Sequence, residues 1–197
     1  MKSIVFILLF CVFLILIYVV GFLGCQSVGS NSALLRNIEG NYNEAIISAK
    51  EAVKNNPNDA EAHFQLGVSY SNLDSVALAY NHFKKSMDID PSSKRIDLAN
   101  NNIKHNYAKH YNKGQEAFQH RFYDEAALEF TKATKADPRQ WEGFFNLGVT
   151  YTRLGLDNTS NYDRAIQALE TALDNSTGND RKKIENMIKE LRDQDND

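Results

Sequence analysis

Two nearly identical stretches decide the fold: His63–Leu73 reads HFQLGVSYSNL, and Phe144–Leu154 reads FFNLGVTYTRL. The spacing between the two copies is 144 − 63 = 81. The three prolines Pro57, Pro91 and Pro138 give the period, because 91 − 57 = 34 and 138 − 91 = 47. Since 47 is 34 + 13 and 81 is 34 + 34 + 13, the spacing indicates a repeat with a period of 34 and a single insertion of length 13.

The residues within each copy resemble the tetratricopeptide repeat, a helix–turn–helix unit. The matching positions are Leu66, Gly67, Tyr70, Ala79, Phe83 and Pro91 in one copy, and Phe144, Leu147, Gly148, Tyr151, Ala165 and Leu169 in the other. This resemblance implies an all-α fold, a right-handed superhelix (an α-solenoid) of about four helix pairs. We expect repeats at 32–59, 60–93, 94–140 and 141–177, and a capping helix with an acidic tail at 178–197.

The apolar pattern agrees with a stacked array. Glycine and alanine at the helix crossings allow close approach, and proline ends the second helix of a pair. Because one pair cannot bury its apolar face alone, the array needs a terminal cap. Ile184, Met187, Ile188 and Leu191 recur at the helical spacing and predict that cap.

The inserted residues continue a helical pattern into the third repeat. Ile96, Ala99, Ile103, Tyr107 and Tyr111 recur every three or four residues, and neither proline nor glycine intervenes before position 114. The pattern predicts one long helix from about residue 93 to 119, projecting roughly 20 Å beyond the other pairs. The alternative is a separate short helix broken at the asparagines 100–102, because asparagine is a poor helix former.

The N-terminus differs from the rest. Residues 4–23 form an almost uninterrupted apolar run of about the length that crosses a membrane. Lys2 is the only charge before Arg36, which predicts that the body lies outside the cytoplasm. Gly24-Cys25 resembles the lipobox of bacterial lipoproteins, in which the cysteine is lipidated, although Phe22 and Leu23 depart from the usual residues.

Two interpretations of this N-terminus stay open. In the first, residues 1–24 are a signal peptide, Cys25 carries the lipid, and residues 25–31 are a short tether. The protein is then a lipoprotein of the bacterial cell envelope that faces the periplasm or the exterior. In the second, residues 1–24 are an uncleaved anchor, and the chain is a single-pass inner-membrane protein with an extracytoplasmic body.

Composition and motifs argue against several function classes. The net charge is −3 and no basic patch dominates, so we expect no nucleic-acid partner. The only cysteines are Cys11 and Cys25, and the histidines do not have metal-ligand spacing, so we expect no metal site. No phosphate loop or nucleophile motif occurs. We therefore expect no enzyme activity and no cofactor.

The resemblance implies that the first helix of each pair lines a concave groove. Two residues before each repeat's glycine stand Gln65, Asn112 and Asn146, whose amides are suited to hydrogen-bonding an extended peptide. The neighbouring positions expected in the groove are Phe64, Val68 and Asn72; Tyr111, Gln115 and Gln119; and Phe145, Val149 and Arg153. The alternative is that several of these side chains pack against the next helix.

These observations predict a membrane-anchored scaffold for protein–protein interactions. Its partner would be a protein or peptide of the cell envelope, in outer-membrane protein, pilus, secretion or cell-wall assembly. The expected groove has few cations, with Glu61 and Glu142 nearby, and so departs from the carboxylate clamp by which some family members hold acidic tails. The alternative function is a ligand-binding module whose groove holds a small molecule or a glycan.

Overall fold

The computed structural model describes residues 28–155 and 160–194, and in these residues every regular element is an α-helix. The helices are α1 Val28–Ile38, α2 Tyr42–Asn55, α3 Ala60–Asn72, α4 Val76–Ile89, α5 Ser93–Gln119, α6 Tyr123–Ala136, α7 Trp141–Gly155, α8 Ser160–Asn175 and α9 Gly178–Gln194. The all-α prediction is confirmed for this part of the chain. The apolar segment 4–23 and Cys25 lie outside the described residues.

Consecutive helices pack as pairs: α1 with α2, α3 with α4, α5 with α6, and α7 with α8. Two glycines show why the crossings are close. A Cβ atom on Gly67 would lie 2.6 Å from the Phe83 ring, and one on Gly148 would lie 2.6 Å from Leu169 Cγ. The large side chain of the second helix therefore fills the space that the glycine leaves, and both Phe83 and Leu169 are fully buried.

The prediction of one long helix across the insertion is confirmed. Helix α5 runs from Ser93 to Gln119, and Ser92 caps it by accepting a hydrogen bond from the Arg95 backbone N–H at 3.4 Å. The asparagines do not interrupt the helix. Asn102 donates to the Leu98 carbonyl at 2.8 Å, and Asn106 accepts a hydrogen bond from Ser71 at 2.6 Å.

The expected projection of this helix beyond the other pairs is wrong. Ala99 and Ile103, in the inserted part, are 0% and 1% exposed. They form one apolar cluster with Ala79 and Phe83 of α4. The extra turns therefore pack against the second helix pair instead of extending freely into solvent, because their apolar stripe has a partner surface there.

Helix α5 takes part in two repeat registers. Residues 95–109 of α5 contact α3 and the following turn at separations of 34 or 35 residues, as in Arg95–Glu61, Asn106–Ser71 and Lys109–Asp74. The second half of α5 contacts α7 at the same separation, with 35 residues between Tyr111 and Asn146. We call α1–α4 with residues 93–106 the N-terminal half-array, and residues 107–119 with α6–α9 the C-terminal half-array.

A charged group, which we call the junction cluster, joins the two half-arrays. Asp74, in the turn before α4, pairs with Lys109 of α5 at 2.8 Å and with Lys132 of α6 at 2.7 Å. Hydrogen bonds from these two lysines hold the pKa of Asp74 well below its usual range. His110 is 1% exposed, and its Nδ1 lies 2.8 Å from Glu129 Oε2. The cluster fixes the α3–α4 turn against both helices of the third pair.

The predicted capping helix is confirmed in α9. Ile184, Ile188 and Leu191 are buried against Ala165, Leu169 and Ala172 of α8, and Met187 packs beside them. The array therefore ends on a helix whose other face is exposed and charged.

The first helix begins earlier than the sequence indicates. Residues 28–31, expected in the tether, belong to α1. The close approach of α2 explains this difference, because a Cβ atom on Gly29 would lie 3.0 Å from both Ala52 Cβ and the Ser48 carbonyl oxygen. Val28, Leu35 and Ile38 remain exposed on the outer side of α1.

Candidate functional site

A cleft of about 330 Å³ lies between α1, α3 and the start of α5, and we call it the N-terminal groove. It is lined by Leu34, Glu61, Phe64, Gln65, Asp90, Ser92, Lys94, Arg95 and Leu98. Leu34 and Leu98 are 40% and 41% exposed, so apolar surface faces the cleft on two sides. The cleft therefore combines apolar side chains with a larger number of polar and charged ones.

Most charged residues of this groove are already paired. Arg95 donates to Glu61 Oε2 at 2.7 Å, and Gln65 Nε2 donates to Glu61 Oε1 at 2.6 Å. The Arg95 guanidinium also lies 5.1 Å from the centre of the Phe64 ring. These contacts fix the floor of the groove and leave Lys94, which is exposed, at its rim.

The amide of Gln65 has protein partners on both sides. Besides its bond to Glu61, its Oε1 accepts from Asn37 Nδ2 at 2.8 Å, and the residue is 3% exposed. Its predicted contact with a peptide would require these bonds to open. Of the neighbouring predicted residues, Val68 is half-buried, and Asn72 is exposed and bonds the Val68 carbonyl of its own helix.

The other two predicted sets meet each other at the seam of α5 and α7. We call this surface the C-terminal groove, after the groove that the sequence predicts there. Asn146 donates to the Tyr111 hydroxyl at 3.0 Å, and Gln115 donates to the same oxygen at 3.2 Å. Asn112 and Gln119 are exposed on α5. The sequence therefore located two amides and a tyrosine that the fold does bring together.

Aromatic residues surround this seam. Tyr107 and Tyr111 stack with their ring centres 5.3 Å apart, and Phe145 contacts Trp141 edge to face at 5.9 Å. Lys183 of α9 lies 4.9 Å from the centre of the Phe145 ring. The remaining predicted residues on α7 are Val149, which is half-buried, and Arg153, which is exposed.

The predicted residues thus form two groups instead of one continuous row. The group at Phe64 and Gln65 belongs to the N-terminal half-array, and the group at Tyr111 and Asn146 belongs to the C-terminal one. The insertion separates them by about 20 Å along α5, at a rise of about 1.5 Å per residue. Whether these side chains bind a ligand stays a prediction.

Sequence reasoning missed the groove residues of the first half of α5. Arg95 and Leu98 stand one repeat period after Glu61 and Phe64, so the period itself placed them beside α3. The repeat motif drew attention instead to residues 107–119, because Gly114 stands in the motif's glycine position. A helix that belongs to two registers carries two sets of groove positions, and the motif marks only one of them.

Two stacked imidazoles lie between α3 and α4, away from the groove. His63 Nδ1 and His82 Nδ1 are 3.1 Å apart, and the rings stack at 5.3 Å. His63 Nε2 faces the Pro57 carbonyl at 3.2 Å, so it donates there, and His63 Nδ1 accepts from His82. Burial, then the neighbouring His63 and Lys50, lower the pKa of His82 to about 4. The pair is therefore neutral and structural at neutral pH.

The described residues hold no group of three or more His, Cys, Asp or Glu side chains that could bind a metal ion. Within 28–155 and 160–194, no helix has both the length and the apolar character to cross a membrane.

Sequence comparisons identify the class of protein. Residues 60–93 and 111–180 each match a tetratricopeptide repeat model, and the paired helices and buried glycines agree with it. The chain is therefore a tetratricopeptide-repeat protein. The comparison with curated proteins finds no match.

Solved structures with similar folds include other tetratricopeptide proteins. MamA is 21% identical over 86% of this chain and 88% of its own, with a TM-score of 0.36. YrrB, described as a TPR protein with an unusual peptide-binding site, is 20% identical over 75% and 84%, with a TM-score of 0.33. The TPR2AB-domain:pHSP90 complex of yeast Sti1 is 14% identical over 90% and 88%, with a TM-score of 0.36. The family assignment rests on the sequence models.

Proposed function

We propose that this protein is an interaction scaffold that binds an extended segment of a partner protein. The observation that carries the proposal is the N-terminal groove, an open cleft lined by the first helices of successive repeats. The exposed leucines of this groove could contact apolar side chains of a partner segment. The paired charges at its floor are already ordered and could contact the partner's backbone. The C-terminal groove adds exposed amides and half-buried aromatics, a mixture that suits peptide backbone and side chains together.

We further propose that the scaffold is held at a membrane of the bacterial cell envelope. The apolar run 4–23 and Cys25, which come shortly before α1 in the sequence, support this proposal. A lipid on Cys25 would hold α1 close to the membrane, because Val28 follows so soon after it in the sequence. A role in assembling outer-membrane proteins, pili, secretion systems or cell wall fits this location.

A matched pair of charge substitutions tests the groove. Leu98→Glu places a carboxylate in the N-terminal groove, and Leu128→Glu makes the same change on the outer face of α6, where Leu128 is 56% exposed. Partners crosslinked to the full chain in envelopes are identified by mass spectrometry. We expect Leu98→Glu to lose partners that Leu128→Glu keeps. If the two variants capture the same partners, the groove is not the binding surface.

The anchor is tested separately. We expect Cys25→Ser to abolish lipid labelling and to release the protein from the membrane fraction. If the variant keeps its mass and remains in the membrane, the segment is an uncleaved anchor. If the wild-type protein itself fractionates with soluble proteins, the membrane proposal is wrong.

A further inference from the structure

Glu61 and Glu142 occupy the same position in two repeats, each one helical turn before the amide of its helix. Both carboxyl oxygens of Glu61 have donors, one from Gln65 and the other from Arg95. The guanidinium of Arg95 comes from the next helix of the stack, one repeat period along the chain. The N-terminal groove therefore supplies its own cation to this carboxylate.

Glu142 has no such cation among the described residues. Its Oε2 is buried there without a hydrogen-bond partner. The fourth repeat has five extra residues, since Ala165 − Leu147 is 18 where Ala79 − Leu66 is 13, so the counterpart of Arg95 is Arg181. Arg181 instead pairs with Glu185 at 3.2 Å and donates to the Leu173 carbonyl at 3.0 Å. Lys183 lies against the Phe145 ring, but it forms no ion pair with Glu142 in the described part of the chain. Leaving a buried carboxylate oxygen unpaired costs more free energy than a typical hydrogen bond contributes. A hydrogen-bond donor at this position would therefore be stabilising.

The surroundings suit a cation. Burial, and then the negative charge of Glu142, raise the pKa of Tyr107, so its hydroxyl stays protonated beside the carboxylate. The stacked rings of Tyr107 and Tyr111 and the ring of Phe145 present π-faces, which attract ammonium and guanidinium groups. Oε2 itself is covered, but Glu142 as a whole is only partly buried, so a partner group would reach the carboxylate from the exposed part of the side chain.

We infer that Glu142 is the binding site for a lysine or arginine side chain of the partner segment, which takes the place that Arg95 occupies at Glu61. The inference rests on the proposed function, because it assigns chemistry to the C-terminal groove of the same scaffold. It predicts that the bound segment carries a basic residue at one fixed position. Selectivity arises because the incoming cation pairs a carboxylate that the protein itself leaves unpaired.

A displayed library of random peptides tests this, with the full chain in neutral detergent as bait. We expect the enriched peptides to share lysine or arginine at one position. The isosteric Glu142→Gln should remove this preference and weaken an enriched peptide roughly tenfold or more. Glu142→Lys should favour acidic residues at that position. The control Glu125→Gln, on exposed surface of α6, should leave both preference and affinity unchanged.

The outcomes separate the two proposals. If peptides are enriched without a basic position, or with one that Glu142→Gln does not change, the inference is wrong and the scaffold proposal stands. If no peptide is enriched by any variant, both are wrong. If the basic preference arises only in Arg181→Ala or Lys183→Ala, the replaced residue is the resident cation of Glu142, and the inference is again wrong.

Discussion

The packing of the inserted turns of α5 can be tested by replacing Ile103 with alanine. Two arrangements predict opposite signs. If residues 93–106 projected into solvent, the change would leave stability unchanged or raise it slightly, because alanine is the better helix former by a few tenths of a kcal/mol. In the structure, Ile103 is 1% exposed and packs with Phe83 and Ala99, so the change removes buried apolar atoms.

The expected cost follows from that burial. Isoleucine to alanine removes three carbon atoms, which are worth about 0.8 kcal/mol each when buried. The cavity that remains adds to the loss, since such changes in well-packed cores cost about 2–5 kcal/mol. Subtracting the gain in helix propensity, we expect the free energy of unfolding to fall by about 3 kcal/mol. The matched change Leu98→Ala, at a position 41% exposed on the same helix, should cost about 1 kcal/mol or less.

Urea denaturation of the full chain in neutral detergent measures both costs. Far-ultraviolet circular dichroism follows all helices, whereas the fluorescence of Trp141, the one tryptophan of the chain, follows α7 in the C-terminal half-array. If the two signals shift together, α5 couples the half-arrays, and if only the circular dichroism shifts, they unfold separately. An Ile103→Ala protein as stable as the wild type would refute the packing argument.

Three further predictions concern other contacts. Gly67→Ala should lower the free energy of unfolding by about 1–3 kcal/mol, because the added Cβ would meet the Phe83 ring at 2.6 Å. At an open helix position the same change would stabilise the protein. Thermal unfolding measures the sign and size of the effect. The folded-state pKa of His82 lies near 4, below its ordinary 6.5, so the free energy of unfolding should fall as the pH falls from 6.5 to 4. The expected loss is about 1–2 kcal/mol after a discount for partial exposure. Urea midpoints should show that this loss vanishes in His82→Gln but not in the exposed control His105→Gln. Asp74→Asn removes the charge that the lysines of the junction cluster share, but asparagine also tolerates the φ of 59° at this position. We expect the free energy of unfolding to fall by at most about 1 kcal/mol, and high salt should abolish the difference. Urea titration at two ionic strengths measures this.

The repeat fold was predictable because its marks are local. Gly67 and Gly148 recur with the same neighbouring residues, and each glycine lies at a helix crossing within its own repeat. The uninterrupted α5 was predictable for the same reason, since apolar spacing shows on one helix alone. The cap α9 followed from a single amphipathic stripe.

The partners of those surfaces were less predictable. An apolar stripe indicates that a helix face is buried, but it does not identify the element that buries it. The pattern of α5 did not indicate that residues 99 and 103 pack on α4. The amide of Gln65 shows the same limit. Its position in the motif predicted a free groove amide, whereas Asn37 and Glu61 satisfy it. Long-range pairing of polar groups depends on which helices become neighbours, and sequence spacing does not contain that information.

The buried stripe of α5 shows how one helix can serve two repeats. Ala99, Ile103, Asn106, His110 and Ala117 follow one another on a single face, and all are buried. The apolar members at the start pack on α4, and Ala117 near the end packs with α6. Asn106 and His110, the two polar members, lie between them, where the packing partner of α5 changes from α4 to α6.

The two polar residues bond to opposite half-arrays. Asn106 bonds Ser71 of the N-terminal half-array, and His110 bonds Glu129 of the C-terminal one. If α5 slid by one turn, Asn106 and His110 would face apolar surface, and both side chains would lose their partners at a cost of several kcal/mol. Apolar residues at these positions could stabilise several registers equally well. Asn106 and His110 therefore specify the offset between the half-arrays, and with it the spacing of the two grooves.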